Sequence, residues 1–505
     1  MTRPVLPLWA AVIIAAASGP VMDAGFPDRD IWPLTFVGIA LVLLTLIGRR
    51  AGAGFLVGLV AGLSFYLVHI SWATEFLGDV VPMLALVTLE SLFFAVGSMT
   101  ITLAYRWLPR VWSGRLGTLG LLPVVVAGLW TAREAIASVW PYGGFAWGRV
   151  ALSQSQSPVS DLFGWVGVSG VSFVMVLLVA VAVEAARYPS MRGTARAAVA
   201  VAVAALVLVV PALPTVYDGS IRVAAVQGNG KAAYLDKREY GDLLVAQFEA
   251  TQAIDDKTAD VVLWPEGGTD VNPIANDDAA RYFDLISEQF GGVPFISGAI
   301  TESGDDIFNS SILWLPGQGA VDIYNKRHPV PFGEYIPDRA FWRPFAPDLI
   351  DLVQREYTIG TTDAVFDLGK WTVGVNICFD IVDDQLMTES VRDGAQVIFA
   401  QSNNADFGHT DESLQQLAIA RIRAMELGRS VVNISTVGTS AIILADGSTL
   451  TQLPWYTPGA MVEDVPTSSV TTPAVLLGRQ LEWLVSFFAL AVLLLGAFLG
   501  RRPRG

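Results

Sequence analysis

Hydrophobic positions along this chain come in two rhythms. Seven apolar stretches, each near or above the roughly 18 residues that a membrane-spanning helix requires, precede Asp218: Val5 to Val21, Ile31 to Gly48, Gly54 to Ala73, Val80 to Tyr105, Gly117 to Ala137, Gly164 to Ala186 and Ala195 to Leu213. An eighth runs from Leu481 to Gly500. Arg3, the apolar run after it and Ala16-Ala17-Ser18 also fit a signal peptide. The stretches that follow already make the protein polytopic, so the first is read as a retained span. Between Asp218 and Thr472 the period changes. Ile221 to Gln227, Val261 to Trp264, Phe295 to Ile300, Ser310 to Leu315, Trp371 to Ile377, Val397 to Gln401, Val431 to Ile434 and Ala441 to Leu444 read as buried strands. Helical periodicity covers Tyr234 to Ile254, Asp277 to Phe290, Asp383 to Asp393 and Glu412 to Leu427. Such alternation predicts an α/β layered domain. The Pro/Thr/Ser-rich stretch Pro454 to Pro473 reads as a linker back to the membrane.

Cytoplasmic loops are enriched in Lys and Arg. Alternate connections hold Arg49 and Arg50, then Arg106, Arg110 and Arg115, then Arg187, Arg192 and Arg196, and finally Arg501, Arg502 and Arg504. The opposite connections carry Asp23, Asp28 and Asp30, then Glu75 and Asp79, then the Trp140 to Asp161 segment, with Arg29 and Arg149 as their basic residues. Eight spans with both termini cytoplasmic follow. Residues 1–217 would form a seven-helix membrane domain, 218–472 an extracytoplasmic domain, and 473–505 the eighth helix with a basic tail.

Charge sharpens this division. Of 505 residues, 53% are hydrophobic and 16% charged, against about 25% charged in soluble domains; disorder, collagen and small disulfide scaffolds are excluded. Asp218 to Thr472 holds 16 basic and 37 acidic residues, a net of −21, whereas the remainder has 16 basic and 10 acidic, a net of +6. The overall charge of −15 argues against nucleic acid as a partner. One cysteine excludes an internal disulfide and a multi-Cys zinc site, and with only His69, His328 and His409 besides, a metal enzyme is disfavoured. An unpaired thiol outside the cytoplasm needs a reason to exist.

That thiol, Cys378, ends the run Trp371 to Ile377 and precedes a helical pattern. At a strand end facing a helix N-terminus its thiolate would be favoured; the alternative is a buried core cysteine. Glu266 follows Val261-Val-Leu-Trp-Pro, and ligands of α/β sheets gather beyond the carboxyl ends of strands. It is a candidate general base or a turn acid. Lys326, just past Val321-Asp-Ile-Tyr-Asn, is either a cation for an acyl-transfer oxyanion or a solvated surface group. His328 offers a Cys-His pairing that lacks an orienting third member.

Three residues at strand ends, in the order Glu266, Lys326, Cys378, resemble the triad of the nitrilase superfamily. The surrounding runs Val226-Gln227-Gly228-Asn229, Trp264-Pro265-Glu266, Asn325 through Pro337, Ile377-Cys378 and Ala418 through Arg429 resemble the apolipoprotein N-acyltransferase family, its membrane-bound branch. The resemblance covers essentially the whole chain. It implies eight transmembrane helices with an α/β nitrilase-like αββα sandwich between the seventh and eighth, in a bacterial inner membrane. It also implies Cys378 as nucleophile, Glu266 as general base, Lys326 as the oxyanion-stabilising cation and Glu334 as a further acid beside them, with the N–H of Phe379 as a second oxyanion donor. The substrates implied are a phospholipid acyl donor and an S-diacylglyceryl cysteine at a lipoprotein N-terminus. The implied chemistry runs through a thioester, with no cofactor, and a monomer is expected.

Departures from the family pattern are Cys378-Phe379-Asp380 where many members have Cys-Tyr-Glu, the absence of tryptophan before Phe407-Gly408, and Thr472-Pro473-Ala474 without the frequent Tyr. Phe379 and Asp380 are therefore expected to tune the acceptor step. Phe332, Tyr335, Ile336, Phe341, Trp342 and Phe345 form an apolar loop read as a packed loop or as a lid for acyl chains; Phe332, Tyr335, Trp342 and Asp380 are candidate substrate contacts. Trp140 and Trp147 are further candidates, though aromatics anchor spans in any case. Arg133 and Glu134 offer a mutual pair, snorkelling or a headgroup site. Two other readings stay open: a membrane-tethered amidase or nitrile hydrolase, and an inactive lipoprotein-binding scaffold.

Overall fold

Apolar runs fold as helices because a backbone in lipid must pair its polar groups within its own segment. In the computed structural model, which describes residues 4–76, 78–209, 211–233 and 236–500, they form α1 (Leu8–Asp23), α2 (Pro33–Leu46), α3 (Ala51–His69), α4 (Val80–Val111), α5 (Leu122–Ala137), α6 (Phe163–Arg187) and α7 (Gly193–Leu208), with a final helix Pro473–Leu499. Arg3, Tyr234 and the tail arginines Arg501, Arg502 and Arg504, used above, lie outside the described residues. The chain divides into two units: these helices form one, and Glu75–Asp79 with Pro214–Thr472 form the other.

Eight full-length spans were expected; among the described residues five helices are long and apolar enough to cross a membrane. They are α3, α4, α5 with the turn before it, α6 with the turn before it, and the final helix. The other three have 16, 14 and 16 residues. At about 1.5 Å per residue, α2 reaches roughly 21 Å, short of a bilayer core of about 30 Å. Proline explains part of the shortening. Pro33 starts α2 at its first turn, and Pro211 and Pro214, without an N–H, follow the end of α7 at Leu208. The first stretch is built into this unit: α1 buries Ala11, Ala15, Ser18, Gly19 and Met22. A Cβ on Gly19 would lie 2.2 Å from Ser64 Oγ, so only glycine permits that approach.

Arg133 and Glu134 form the mutual pair, at 3.2 Å and both buried. Glu134 Oε1 also accepts from Trp130 Nε1 at 2.8 Å and Val150 N at 3.1 Å. Trp147 is buried against Trp72 and Phe145, which leaves Trp140 as the exposed ring of the two candidates.

The second unit is two six-stranded sheets packed face to face. One runs through β1 (Gly219–Gln227), β2 (Val261–Leu263), β3 (Phe295–Ser303), β4 (Asp306–Leu315) and β5 (Gly319–Asn325). The other runs through β6 (Val365–Asp367), β7 (Thr372–Ile377), β8 (Val397–Ser402), β9 (Val431–Ser435), β10 (Ala441–Ile443) and β11 (Thr449–Gln452). The sixth strand of the first sheet, β12 (Gly459–Thr467), pairs antiparallel with β1. Each sheet has a parallel centre, β1-β2-β3 and β7-β8-β9, which turns the carboxyl ends of β2, β7 and β8 toward one end. Ile221, Val223, Leu263 and Ile296 meet Val375, Ile377, Phe399 and Ile434 between the sheets. On the outer face of the first sheet, Trp264, Phe295 and Trp314 pack on Phe283. Here α8 (Asp242–Gln252) and α9 (Asp277–Gln289) cover that sheet, while α12 (Asp384–Arg392) and α13 (Glu412–Leu427) contact β7, β9 and β10. Two short helices, α10 (Arg339–Trp342) and α11 (Pro347–Ile350), lie between β5 and β6.

One expectation is corrected here: the stretch read as a linker contains β12. Its prolines and threonines obscure an inward pair, Met461 and Val465, which are buried in the intersheet core. The helix expected from Tyr234 begins at Asp242. If β12 is integral to the sheet, Met461→Ala destabilises this unit by about 2–5 kcal/mol, read as an earlier unfolding midpoint by tryptophan fluorescence. A linker residue would shift it by less than about 0.5 kcal/mol.

Candidate active site

Strand ends deliver the charged residues. Glu266 lies just beyond β2, Lys326 follows β5 directly, Cys378 follows β7 directly, and Asn403 follows β8. Lys326 Nζ lies 2.8 Å from Glu334 Oε2 and 3.4 Å from Glu266 Oε1. Lys326 and Glu266 are buried, and such a cluster survives burial only if its remaining lone pairs find donors. They do. Asn309 Nδ2 donates to both Glu266 Oε1 (2.8 Å) and Glu334 Oε1 (2.9 Å). Asn403 N donates to Glu266 Oε2 at 2.8 Å, and Val330 N to Glu334 Oε2 at 2.7 Å.

Burial raises the Glu266 carboxyl above its usual range, Lys326 opposing and Glu334 reinforcing the shift. Burial alone would favour neutral Lys326, but Glu334 and Glu266 outweigh it and hold the ammonium well above its ordinary value. A basic carboxylate beside a permanent cation suits proton transfer next to a developing oxyanion.

Cys378 adopts φ +50°, a left-handed conformation rare for a residue with a side chain. It opens a one-turn 3₁₀ helix, Cys378–Val382, and α12 begins only afterwards, capped by Asp383, whose Oδ1 accepts from Leu386 N at 2.6 Å. The expectation that a helix N-terminus favours the thiolate is therefore corrected. Burial pushes the thiol well up, the Glu266 charge adds to this, Lys326 opposes it, and Glu412 and Glu334 add further. A resting thiol that must lose its proton to a neighbour as it reacts is the consequence.

Asp380 is corrected as a substrate contact. Its carboxylate is fully buried and accepts from Tyr324 Oη (2.8 Å), His328 N (3.0 Å) and Ile377 N (3.1 Å). It ties the strand end bearing Lys326 to the strand end bearing Cys378. His328 does not face Cys378: its ring lies 3.4 Å from Asp380 Oδ1 and 3.4 Å from Asp383 Oδ2. Phe379 is half-buried beside the cysteine. Phe332 and Trp342 meet edge to face at 5.7 Å over a small core of Ile336, Ile350 and Val353, while Phe341 and Phe345 are exposed. Tyr335 O accepts from Phe332 N at 2.8 Å.

Sequence reasoning missed Asn309, Asn403, Asn404, Glu412 and Gln416. The available signal was positional: Asn403 and Asn404 follow a predicted strand as Glu266 and Cys378 do. Among the described residues no group of three or more His, Cys, Asp or Glu side chains is arranged to hold a metal ion.

Burial by itself would lower the His328 pKa, but Asp380 and Asp383 outweigh it and raise it. The resulting stabilisation is fully present below the unfolded value of about 6.5 and is lost as pH rises through the higher folded value. The unfolding midpoint should therefore fall further between about pH 6 and about pH 9 in the parent than in His328→Gln. Equal falls in urea titrations at the two pH values would contradict this.

Comparison with known proteins gives a consistent result. Residues 18–181 match the family model described as apolipoprotein N-acyltransferase N-terminal domain, and residues 222–473 match carbon-nitrogen hydrolase. The chain is 30% identical to an apolipoprotein N-acyltransferase of Mycolicibacterium smegmatis over 97% of this chain and 86% of that protein. It is 26% identical to one of Shewanella oneidensis over 90% of each. Among solved structures, an amidase from Nesterenkonia sp. is similar over 50% of this chain and 92% of its own, at 16% identity and a TM-score of 0.37.

Proposed function

The chain belongs to the apolipoprotein N-acyltransferase family, and from that premise we propose that it completes lipoprotein N-acylation through a thioester on Cys378. The acyl donor is a membrane phospholipid and the acceptor is the N-terminal amine of an S-diacylglyceryl cysteine. The observation that carries the reading is the buried Glu266–Lys326–Glu334 cluster beside a single thiol. In the first step the thiol proton passes to Glu266 as sulfur attacks the glycerol ester. The carbonyl electron pair moves onto oxygen, where the Lys326 ammonium and the N–H of Phe379 offset it. Collapse expels the glycerol oxygen, which takes the proton from Glu266 and leaves as lysophospholipid. In the second step the amine attacks the thioester and gives a proton to Glu266, the C–S bond breaks as the amide forms, and the departing sulfur takes that proton back from Glu266. A buried, raised Glu266 is suited to both transfers. Lys326, held between two carboxylates, keeps its charge throughout.

Matches to both family models across the membrane and hydrolase portions leave no feature that favours the tethered amidase or the inactive scaffold. Phe332, Tyr335 and Trp342, in the aromatic loop, are the proposed acyl contacts, and Trp140 a proposed anchor at the membrane surface.

The protein is a membrane protein. We further propose eight membrane-embedded helices, the short α1, α2 and α7 included, in a bacterial inner membrane with both termini cytoplasmic and the α/β unit outside, because the arginine bias alternates with the helices. In cysteine scanning on a Cys378→Ser background, a membrane-impermeant reagent should label position 240, an exposed residue of the α/β unit, in intact cells. Positions 50, 110 and 192 should stay unlabelled, and labelling at 192 would overturn the topology.

With labelled phospholipid and no lipopeptide, acyl-enzyme should accumulate as a hydroxylamine-sensitive label. Cys378 is the only cysteine, so the label resides there. Cys378→Ala should carry none and Glu266→Gln should acquire it slowly. Lys326→Ala should lose a factor of about 100 to 1,000 in rate, and a diacylated lipopeptide should discharge the parent's label onto its amine. Parental transfer by Cys378→Ala would refute the nucleophile assignment.

A further inference from the structure

Beside Cys378 lies a set of buried amides for which the mechanism above has no use. Gln416 and Glu412 stand one turn apart on α13, on one face. Gln416 Nε2 is 3.8 Å from Cys378 Sγ, within hydrogen-bond range for sulfur. The opposite end of that amide is held: Gln416 Oε1 accepts from Asn404 Nδ2 at 2.6 Å. Asn404 is itself held, since its Nδ2 also donates to Glu412 Oε2 at 2.8 Å and its Oδ1 accepts from Ser435 Oγ at 2.6 Å. All four side chains are buried. The orientation of an amide is ordinarily open to a flip. Here Asn404 turns its NH₂ toward Glu412 and Gln416 and its carbonyl toward Ser435, and Gln416 accordingly turns its NH₂ toward sulfur.

We propose that Gln416 is a catalytic donor to the sulfur of Cys378, oriented by Asn404, and that it stabilises the sulfur whenever it carries negative charge. That charge arises twice, as the S–H proton leaves for Glu266 and as the C–S bond breaks toward the amine. The titratable groups facing the thiol are Glu266 beyond β2, Lys326 and Glu334 beyond β5, and Glu412 on α13, whose carboxyl is pushed up to about 8 by burial. The carboxylates of Glu266 and Glu334 oppose a thiolate; Gln416 counters them without adding a charge that would pair with Glu266. The inference rests on the proposed nucleophilic role of Cys378.

The test is the pH dependence of iodoacetamide alkylation of the full-length protein in detergent, which reports on Cys378 alone because no other cysteine exists. Replacing Gln416 by methionine keeps length and removes the N–H donors. Gln416→Met should move the alkylation midpoint up by about one pH unit and slow alkylation about tenfold at a fixed pH below it, the loss of a hydrogen bond to a charged group. Gln416→Glu, which adds charge, should move it further. Asn404→Ala, which leaves Gln416 present but unheld, should shift it in the same direction by less, and carries the test if Gln416→Met does not fold. A parental pH profile in the folded variants would overturn the proposal, even if transfer were slowed. Failure of the underlying reading looks different: alkylated parent would still transfer acyl chains.

Discussion

The α/β unit is organised around three charged side chains that cannot separate. Glu266 and Lys326 stand past the ends of β2 and β5 and Glu334 in the loop after β5, with Lys326 between the two carboxylates. Removing one partner from such a group leaves an uncompensated charge, at a cost of several kcal/mol. The fold therefore has to deliver β2, β5 and the loop after β5 to the same point, and it has to bring neutral donors with them. Asn309 answers both carboxylates from β4, and the backbone of Asn403 answers Glu266 from the other sheet. The site is thus a joint between the two sheets as well as a place for chemistry.

Asp380 performs the matching task on the other side. By accepting from Tyr324, Ile377 and His328, it locks the strand end that carries the cation to the strand end that carries the nucleophile. It also supports a cysteine backbone that would otherwise avoid φ +50°. A shortened acid beside the nucleophile reads, in the sequence, like a change in substrate contact. In three dimensions it is a rivet, because its side chain is fully buried and bonded to both strand ends.

Much of this was legible in advance. Glu266 and Cys378 stand just past buried runs whose apolar signature is plain in the sequence, and Lys326 directly follows β5, a strand that is mostly half-buried or exposed. The supporting amides were not legible. Asn and Gln carry no charge to attract notice, and their value lies in which way the amide faces, a property of packing. The same limit hid β12, whose partner β1 lies at the opposite end of the unit's sequence; its burial depends on pairing that no local pattern expresses.

Composition and periodicity, which are properties of neighbouring residues, determined that this protein has a membrane portion and an acidic α/β portion, and that a lone thiol, an acid and a lysine stand at strand ends. Tertiary structure alone decided how those groups behave. It raised the Cys378 thiol where a helix end was expected to lower it, turned Asp380 inward, and aimed Gln416 at sulfur. Each outcome is set by burial and by the charges that other segments bring within a few ångströms, and neither quantity exists until the chain has folded.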